Sequence, residues 1–258
     1  MNGKKYKYIY GPVPSWRLGY SLGIDPVSTR EKVCSFDCVY CQIGKTCLLT
    51  DERRVFIKCK DIIEELNSLP SLTIDYITFA GAGEPTLAKN LGKIILAVKK
   101  VCKEKIAVIS NASLFYRQDV RDDLMHADLV VAKLDAPTQD ILKKISCPAE
   151  GINLENIISG IKSFKSAFKG KMALQCMFVA QNKESAPMIA RLTREISPDE
   201  VQINTPLRPC KEKPLSEVEL KEIESYFTGL HCVSVYKAEK KHIKAISDKD
   251  TLIRRGKI

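Results

Sequence analysis

No apolar run in this 258-residue chain approaches the roughly 20 residues that cross a bilayer, which excludes a membrane-spanning helix. The first residues, Met1-Asn2-Gly3-Lys4-Lys5, lead into Tyr-rich polar sequence rather than the apolar stretch a secretory signal needs. A cytosolic protein with no membrane partner is therefore expected. No internal repeat and no low-complexity segment is found, so repeat architectures are not in question. No second Cys-x2-Cys pair accompanies the first, and no cysteine precedes Cys34. A structural zinc site built from two ligand pairs is thereby disfavoured.

What is present is an ordinary apolar fraction of 45 %, enough for a buried core, ten cysteines and a net charge of +10. In a reducing compartment, cysteines serve as metal ligands, reactive thiols or small core residues rather than disulfides. The positive charge suits a phosphate-bearing partner, RNA or a nucleotide, and equally a set of solvated lysine faces.

Apolar strand-type runs alternate with helix-type runs. Strands are predicted at Leu18–Ile24, Ile74–Ala80, Ile106–Ser110, Leu129–Leu134, Met172–Ala180 and Val201–Asn204, with a last one at His231–Tyr236. Helices are predicted at Lys60–Leu69, Leu91–Cys102, Val120–His126, Leu154–Phe168, Glu184–Ile196 and Ser216–Phe227, the last opened by a Ser216-x-x-Glu219 capping box. Such alternation implies parallel strands with right-handed crossovers, a partial (β/α)6 barrel of the TIM type. The expected organisation is an N-terminal segment over 1–17, the barrel over 18–236 and a basic, weakly periodic tail over 237–258. Each of the six strands is followed by unusual loop residues, and in parallel barrels the C-terminal strand ends form the catalytic face. The same residue types also fill ordinary loops.

Cys34-Ser-Phe-Asp-Cys38-Val-Tyr-Cys41 carries the most specific chemistry. Three soft thiolates within eight residues select zinc or an iron–sulfur cluster. Cys47 lies six residues further on and is placed to act as a fourth ligand. Without it, three thiolates on a four-iron cluster leave one iron open for a small-molecule ligand.

The Cys-x3-Cys-x2-Cys spacing with aromatic Tyr40 before the last cysteine resembles the radical S-adenosylmethionine (SAM) superfamily. Gly11-Pro12-Val13-Pro14-Ser15-Trp16-Arg17-Leu18-Gly19, Ser21-Leu22-Gly23-Ile24-Asp25 and Cys41-Gln42-Ile43-Gly44 resemble an iron–sulfur oxidoreductase group within it. That group is loosely related to the wybutosine-synthesising tRNA enzymes. Trp16 stands where that pattern would have an arginine. The resemblance implies a 4Fe–4S cluster on Cys34, Cys38 and Cys41, SAM bound at the open iron, and its reductive cleavage to a 5′-deoxyadenosyl radical. It also implies an external electron donor of the flavodoxin or ferredoxin type.

Gly81-Ala82-Gly83-Glu84 occupies the place of the superfamily's Gly-Gly-Glu motif, where glycine permits close backbone approach to the SAM ammonium. Ser110 and Asn111 are expected to reach the ribose or the methionine carboxylate, or to act as caps. Lys133 and Asp135 point the same way from one strand and serve either SAM or each other. Arg208 is a candidate for a substrate phosphate or carboxylate. Cys147 and Cys210, each beside a proline, are weak catalytic candidates. Cys102 and Cys176 read as core.

The expected function is hydrogen abstraction from RNA or a nucleotide-like molecule. The alternatives are a glycyl-radical-enzyme activase and a non-enzymatic iron–sulfur carrier. For an RNA substrate, Lys240, Lys241, Arg254, Arg255 and Lys257 would add to a basic rim. The sequence sets no oligomeric state. Cys34→Ala, Cys38→Ala and Cys41→Ala should each abolish the brown chromophore of anaerobically reconstituted protein, whereas Cys47→Ala should keep it. Iron loss in the Cys47 variant alone would overturn the three-ligand assignment.

Overall fold

A computed structural model describes residues 6–238 and 242–256. Eight strands form one sheet in the order β1 (Ile9–Ser15), β2 (Gly19–Ile24), β5 (Tyr76–Phe79), β6 (Lys105–Ser110), β7 (Leu129–Lys133), β8 (Lys171–Met177), β9 (Glu200–Asn204) and β10 (Cys232–Ser234). Every neighbouring pair from β2 to β10 is parallel, and β1 alone runs antiparallel. The sheet curls into a half-barrel, as the strand–helix alternation predicts. Two short strands, β3 (Val33–Cys34) and β4 (Leu48–Leu49), make a separate ladder beneath the cysteine loop.

The crossovers carry α1 (Cys59–Asn67), α2 (Leu91–Val101), α3 (Gln118–Leu124), α4 (Gln139–Ser146), α5 (Leu154–Ala167), α6 (Ala186–Ile196) and α7 (Glu217–Ser225). Alternation along the strands decides which side chain meets which environment. Ile77, Ile106, Val108, Val130, Leu174 and Ile203 join the main core with residues of the helices. Leu18, Ala107, Leu129, Val131 and Ala173 form a second, smaller cluster. Ser21 and Thr78 hydrogen-bond to each other at 2.6 Å, and with Gln175 they give the half-barrel's cavity a polar wall. The predicted capping box is present: Glu219 N–H donates to Ser216 Oγ, and Ser216 N–H donates to Glu219 Oε2.

Three elements differ from expectation. β1 lies in the predicted N-terminal segment but pairs with β2 across a tight turn; Pro12 and Pro14 hide it from a strand reading. α4 is only eight residues long and follows Pro137 directly, so it reads as loop. Part of the predicted loose tail forms α8 (Asp248–Arg255), capped by Ser247, whose Oγ accepts from Asp250 N–H.

α8 covers the free edge of β1. Tyr6 N–H donates to Asp250 Oδ2 at 3.1 Å, Gly11 N–H to Thr251 Oγ1 at 3.0 Å, and Ile246 N–H to the Gly11 carbonyl at 2.6 Å. Arg254 donates to the Lys7 carbonyl and to Ser28 Oγ, and Arg255 to the Pro14 carbonyl. An edge strand with unpaired backbone groups invites pairing with other chains, and here the Thr251 and Arg255 side chains and the Ile246 backbone N–H occupy such groups on β1. Thr251→Val removes the acceptor of Gly11 N–H while keeping the shape. It is expected to cost about 1–3 kcal/mol in chemical denaturation and to speed hydrogen exchange at the Gly11 amide; unchanged exchange there would remove Thr251 from the edge cover.

Candidate functional site

The cysteine loop is held from both sides. Below it, Cys34 sits on β3, and its carbonyl accepts from Thr50 N–H at 3.0 Å. On its flank, Asp37 N–H donates to the Ser146 and Cys147 carbonyls and Val39 N–H to the Ile145 carbonyl, all at the end of α4. The left-handed conformation of Cys147, with φ 43°, turns that carbonyl toward the loop. Asp37 Oδ1 closes the far side by accepting from Thr46 N–H at 2.7 Å.

The three thiols fit a cluster. Cys38 and Cys41 line a cavity of about 420 Å³. Two donors point at the sulfurs: Lys32 Nζ lies 3.0 Å from Cys41 Sγ, and Asn111 Nδ2 lies 3.8 Å from Cys34 Sγ. Donors of this kind stabilise thiolates and tune an iron–sulfur centre. Burial pushes the Cys34 thiol up to about 12 and the Cys38 thiol up to about 11, while the fields of Lys32 and Lys133 oppose the rise. Among the described residues, no three His, Cys, Asp or Glu side chains gather closely enough to hold one metal ion. Thiolates on a cubane each bind a different iron and stand further apart. Cys47 is exposed.

The loop after β5 packs directly on this frame. A Cβ on Gly83 would overlap the Val33 carbonyl, one residue before Cys34, and a Cβ on Gly81 would overlap the Asp25 carboxylate. Glu84 is buried, with Oε1 accepting from Thr86 N–H, Thr86 Oγ1 and Ser110 Oγ, and Oε2 from Asn111 N–H at 2.8 Å. Burial raises its pKa, and these four hydrogen bonds oppose the rise. Asn111 also donates from Nδ2 to Ser35 Oγ at 2.8 Å. Glu84, Ser110 and Asn111 thus hold one another and the cysteine loop; of the 81–84 segment, only Gly81 lines the cavity.

Lys133 and Asp135 do face the same way, and they pair: Nζ lies 3.2 Å from Oδ2. Tyr40 OH donates to the same Asp135 oxygen, and Lys133 Nζ lies 3.1 Å from Tyr40 OH. Asp135 Oδ1 accepts from Met177 N–H at 2.7 Å. Lys133 and Tyr40 line the cavity, whereas Asp135 is buried behind them.

Arg208 lines the cavity, as its candidacy for a substrate anion requires. Cys147 and Cys210 do not line it; their thiols turn to the carbonyls of Lys144 and Glu212. Cys176 is fully buried, as expected of core, while Cys102 is half-buried. Arg254 and Arg255 are not a surface rim. Arg254 is 8 % exposed, and both residues line the cavity from α8. Lys240, Lys241 and Lys257 lie outside the described residues. The sequence reading missed Tyr10, Arg17 and Lys32. Arg17 sits in the segment that carried the family resemblance, Tyr10 directly before it, and Lys32 lies two residues before Cys34.

The sequence profile of the Radical SAM superfamily matches residues 32–193. The UPF0026 protein slr1464 of Synechocystis sp. is 43 % identical over 208 residues, covering 80 % of this chain and 77 % of that protein. The chain belongs to the radical SAM superfamily and to the UPF0026 family. It is therefore an enzyme of 4Fe–4S and SAM chemistry, and enzymes of this superfamily draw their electron from an external donor. A protein of Brachyspira hyodysenteriae named GTPase Obg is 36 % identical over 96 % of this chain, which spans only 38 % of that protein. A probable GTP 3′,8-cyclase of Saccharolobus solfataricus is 26 % identical over 84 % of this chain and 68 % of its own length. In fold, the chain resembles Streptococcus suis SuiB bound to S-adenosylmethionine, with a TM-score of 0.61 at 16 % identity over 79 % of this chain and 48 % of that one. It also resembles a radical SAM methyltransferase of Sphaerobacter thermophilus, with a TM-score of 0.60 at 14 % identity over 83 % of this chain and 65 % of that one. The chain thus spans about half to two-thirds of these solved chains.

The packing of Gly83 on Val33 changes what its substitution should do. Glycine here serves the approach of the loop to the cysteine frame, beyond any approach to SAM. Gly83→Val is expected to lower iron content and visible absorbance together with SAM cleavage. Full iron loading with cleavage alone lost would return Gly83 to direct SAM contact.

Proposed function

We propose that this chain cleaves SAM reductively inside the half-barrel and directs the resulting radical at a nucleotide-like small molecule. The observation that carries this reading is the cavity itself. Cys38, Cys41, Tyr40, Gly81 and Lys133 share it with Arg17, Arg208, Arg254 and Arg255. One chamber so lined serves both the cofactor and an anionic reactant. The likeness to a probable GTP 3′,8-cyclase supports a nucleotide-like substrate.

Bound at Cys34, Cys38 and Cys41, the cluster would supply one electron to SAM and so a 5′-deoxyadenosyl radical. Gly81 leaves the backbone open for the SAM amino group. Tyr40 and Lys133, fixed by Asp135, present a hydroxyl and an ammonium for its polar groups. Ala82, Gly83, Glu84, Ser110 and Asn111 position this wall. Apolar strand residues and α8 limit water around the reacting atoms. A flavodoxin or ferredoxin would deliver the electron. The basic charge then serves substrate binding inside the barrel rather than an RNA rim.

With SAM and a strong reductant, the reconstituted protein is expected to release 5′-deoxyadenosine, slowly even without substrate. Mass spectrometry of cells with and without the gene should then find a change in the nucleotide pool. An altered tRNA nucleoside with an unchanged nucleotide pool would move the substrate to RNA, and tRNA binding that weakens steeply with salt would accompany it.

A further inference from the structure

We infer that Arg17, Arg208 and Arg255 form a binding site for a phosphoryl group of a small-molecule substrate. This deepens the reading above and rests on it for the identity of the reaction, though not for the existence of the site.

Among the described residues, five cationic side chains line the cavity, and no carboxylate does. Two of the five have their own anion: Lys133 pairs with Asp135, and Arg254 Nε lies 3.9 Å from Asp25 Oδ2. Among the described residues, Arg17, Arg208 and Arg255 have no Asp or Glu oxygen within salt-bridge distance. Arg17 comes from the β1–β2 turn, Arg208 from the loop after β9 and Arg255 from the end of α8. Elements distant in sequence thus deliver three guanidiniums to one chamber.

Their own hydrogen bonds leave most of their donors free. Arg208 Nη1 donates to the Arg255 carbonyl, and Arg255 Nη2 donates to the Pro14 carbonyl. Arg17 Nε and Nη1 are shut off from solvent with no partner among the described residues. The guanidinium of Arg17 lies 4.9 Å from the Trp16 ring centroid, a contact that uses its face and leaves its edge available. Glu200 is the carboxylate whose field reaches Arg17, and it is already held by Lys171 at 2.6 Å. Burial, followed by repulsion from Arg208 and Arg255, pulls Arg17 down to about 10. Burial and Arg255 do the same to Arg208.

Shut-off donors and unpaired like charges cost stability unless a ligand compensates them. A carboxylate brings one charge and two acceptor oxygens. A phosphoryl group brings about two charges and three oxygens, which matches three guanidinium forks far better.

α8 takes part in the site as well as in the edge cover. It carries Arg255, its carbonyl end accepts from Arg208, and Gly256 just beyond it lies against the Gln42 carbonyl of the cysteine loop. The anion site and the cluster loop are therefore tied to one element.

The test uses reconstituted protein and inorganic pyrophosphate in thermal unfolding, with ionic strength held constant by sodium chloride. Pyrophosphate should raise the melting temperature of the wild type by several degrees, and saturating SAM should leave that shift in place. Arg17→Met should melt higher than the wild type without ligand, because a partnerless buried charge is gone, and should lose the pyrophosphate shift. Arg208→Gln should lose the shift as well. A wild type indifferent to pyrophosphate overturns the inference. A shift abolished by SAM overturns it too, because the arginines would then hold the SAM carboxylate. An Arg17→Met protein that melts lower and keeps the shift makes Arg17 a structural residue and likewise overturns it. Failure of the radical reading has its own signature, absence of 5′-deoxyadenosine from wild type given SAM and reductant, whatever pyrophosphate does.

Discussion

A buried carboxylate in a parallel sheet is costly unless donors surround it, and at Glu84 four donors do so from its own loop and the end of β6. That arrangement fixes the relation between two strand ends. Asn111 extends it through Ser35 and the Cys34 sulfur, and Gly83 extends it through contact with the Val33 backbone. The cysteine loop is anchored in the main core by Val33, Phe36 and Tyr40. Its position depends on this polar frame on one side and on the carbonyls of α4 on the other. Three thiols within eight residues become a defined ligand set only because the surrounding backbone is immobilised.

Charge is distributed in the cavity with a consistent logic. Where a cation serves the frame, it has a partner: Lys133 has Asp135 and Tyr40, and Arg254 has Asp25 and backbone carbonyls. Arg17, Arg208 and Arg255 line the same chamber with no carboxylate partner among the described residues. Uncompensated charge in a low-dielectric enclosure is a standing cost to the free protein and a source of affinity when an opposite charge arrives. The half-barrel bears that cost because its outer face is packed against seven helices by apolar side chains and needs no polar contribution from within.

α8 joins these two themes. The half-barrel has an open edge at β1, and the C-terminal helix covers it with Asp250, Thr251 and Arg254. The same helix contributes Arg255 to the chamber wall. Edge protection and closure of the chamber are thereby one structural solution, which explains how a basic, weakly amphipathic segment comes to be partly buried.

Much of this was legible in the sequence. Apolar periodicity marked six parallel strands and most of the helices, because burial on both faces leaves a plain pattern. The thiol spacing narrowed the loop to zinc or an iron–sulfur cluster, and its resemblance to the radical SAM motif implied the cluster. Gly81 to Glu84 stood out as a special turn, but its glycines answer to the Val33 carbonyl and the Asp25 carboxylate, neighbours that only the folded chain supplies. β1 and α8 were missed because prolines and lysines obscure local preference, and their stability comes from each other across more than two hundred residues. Arg208 was singled out for a substrate anion and Arg255 for a basic rim, while Arg17 was not. Only the closure of the sheet decides that the three line one chamber with no carboxylate partner among the described residues.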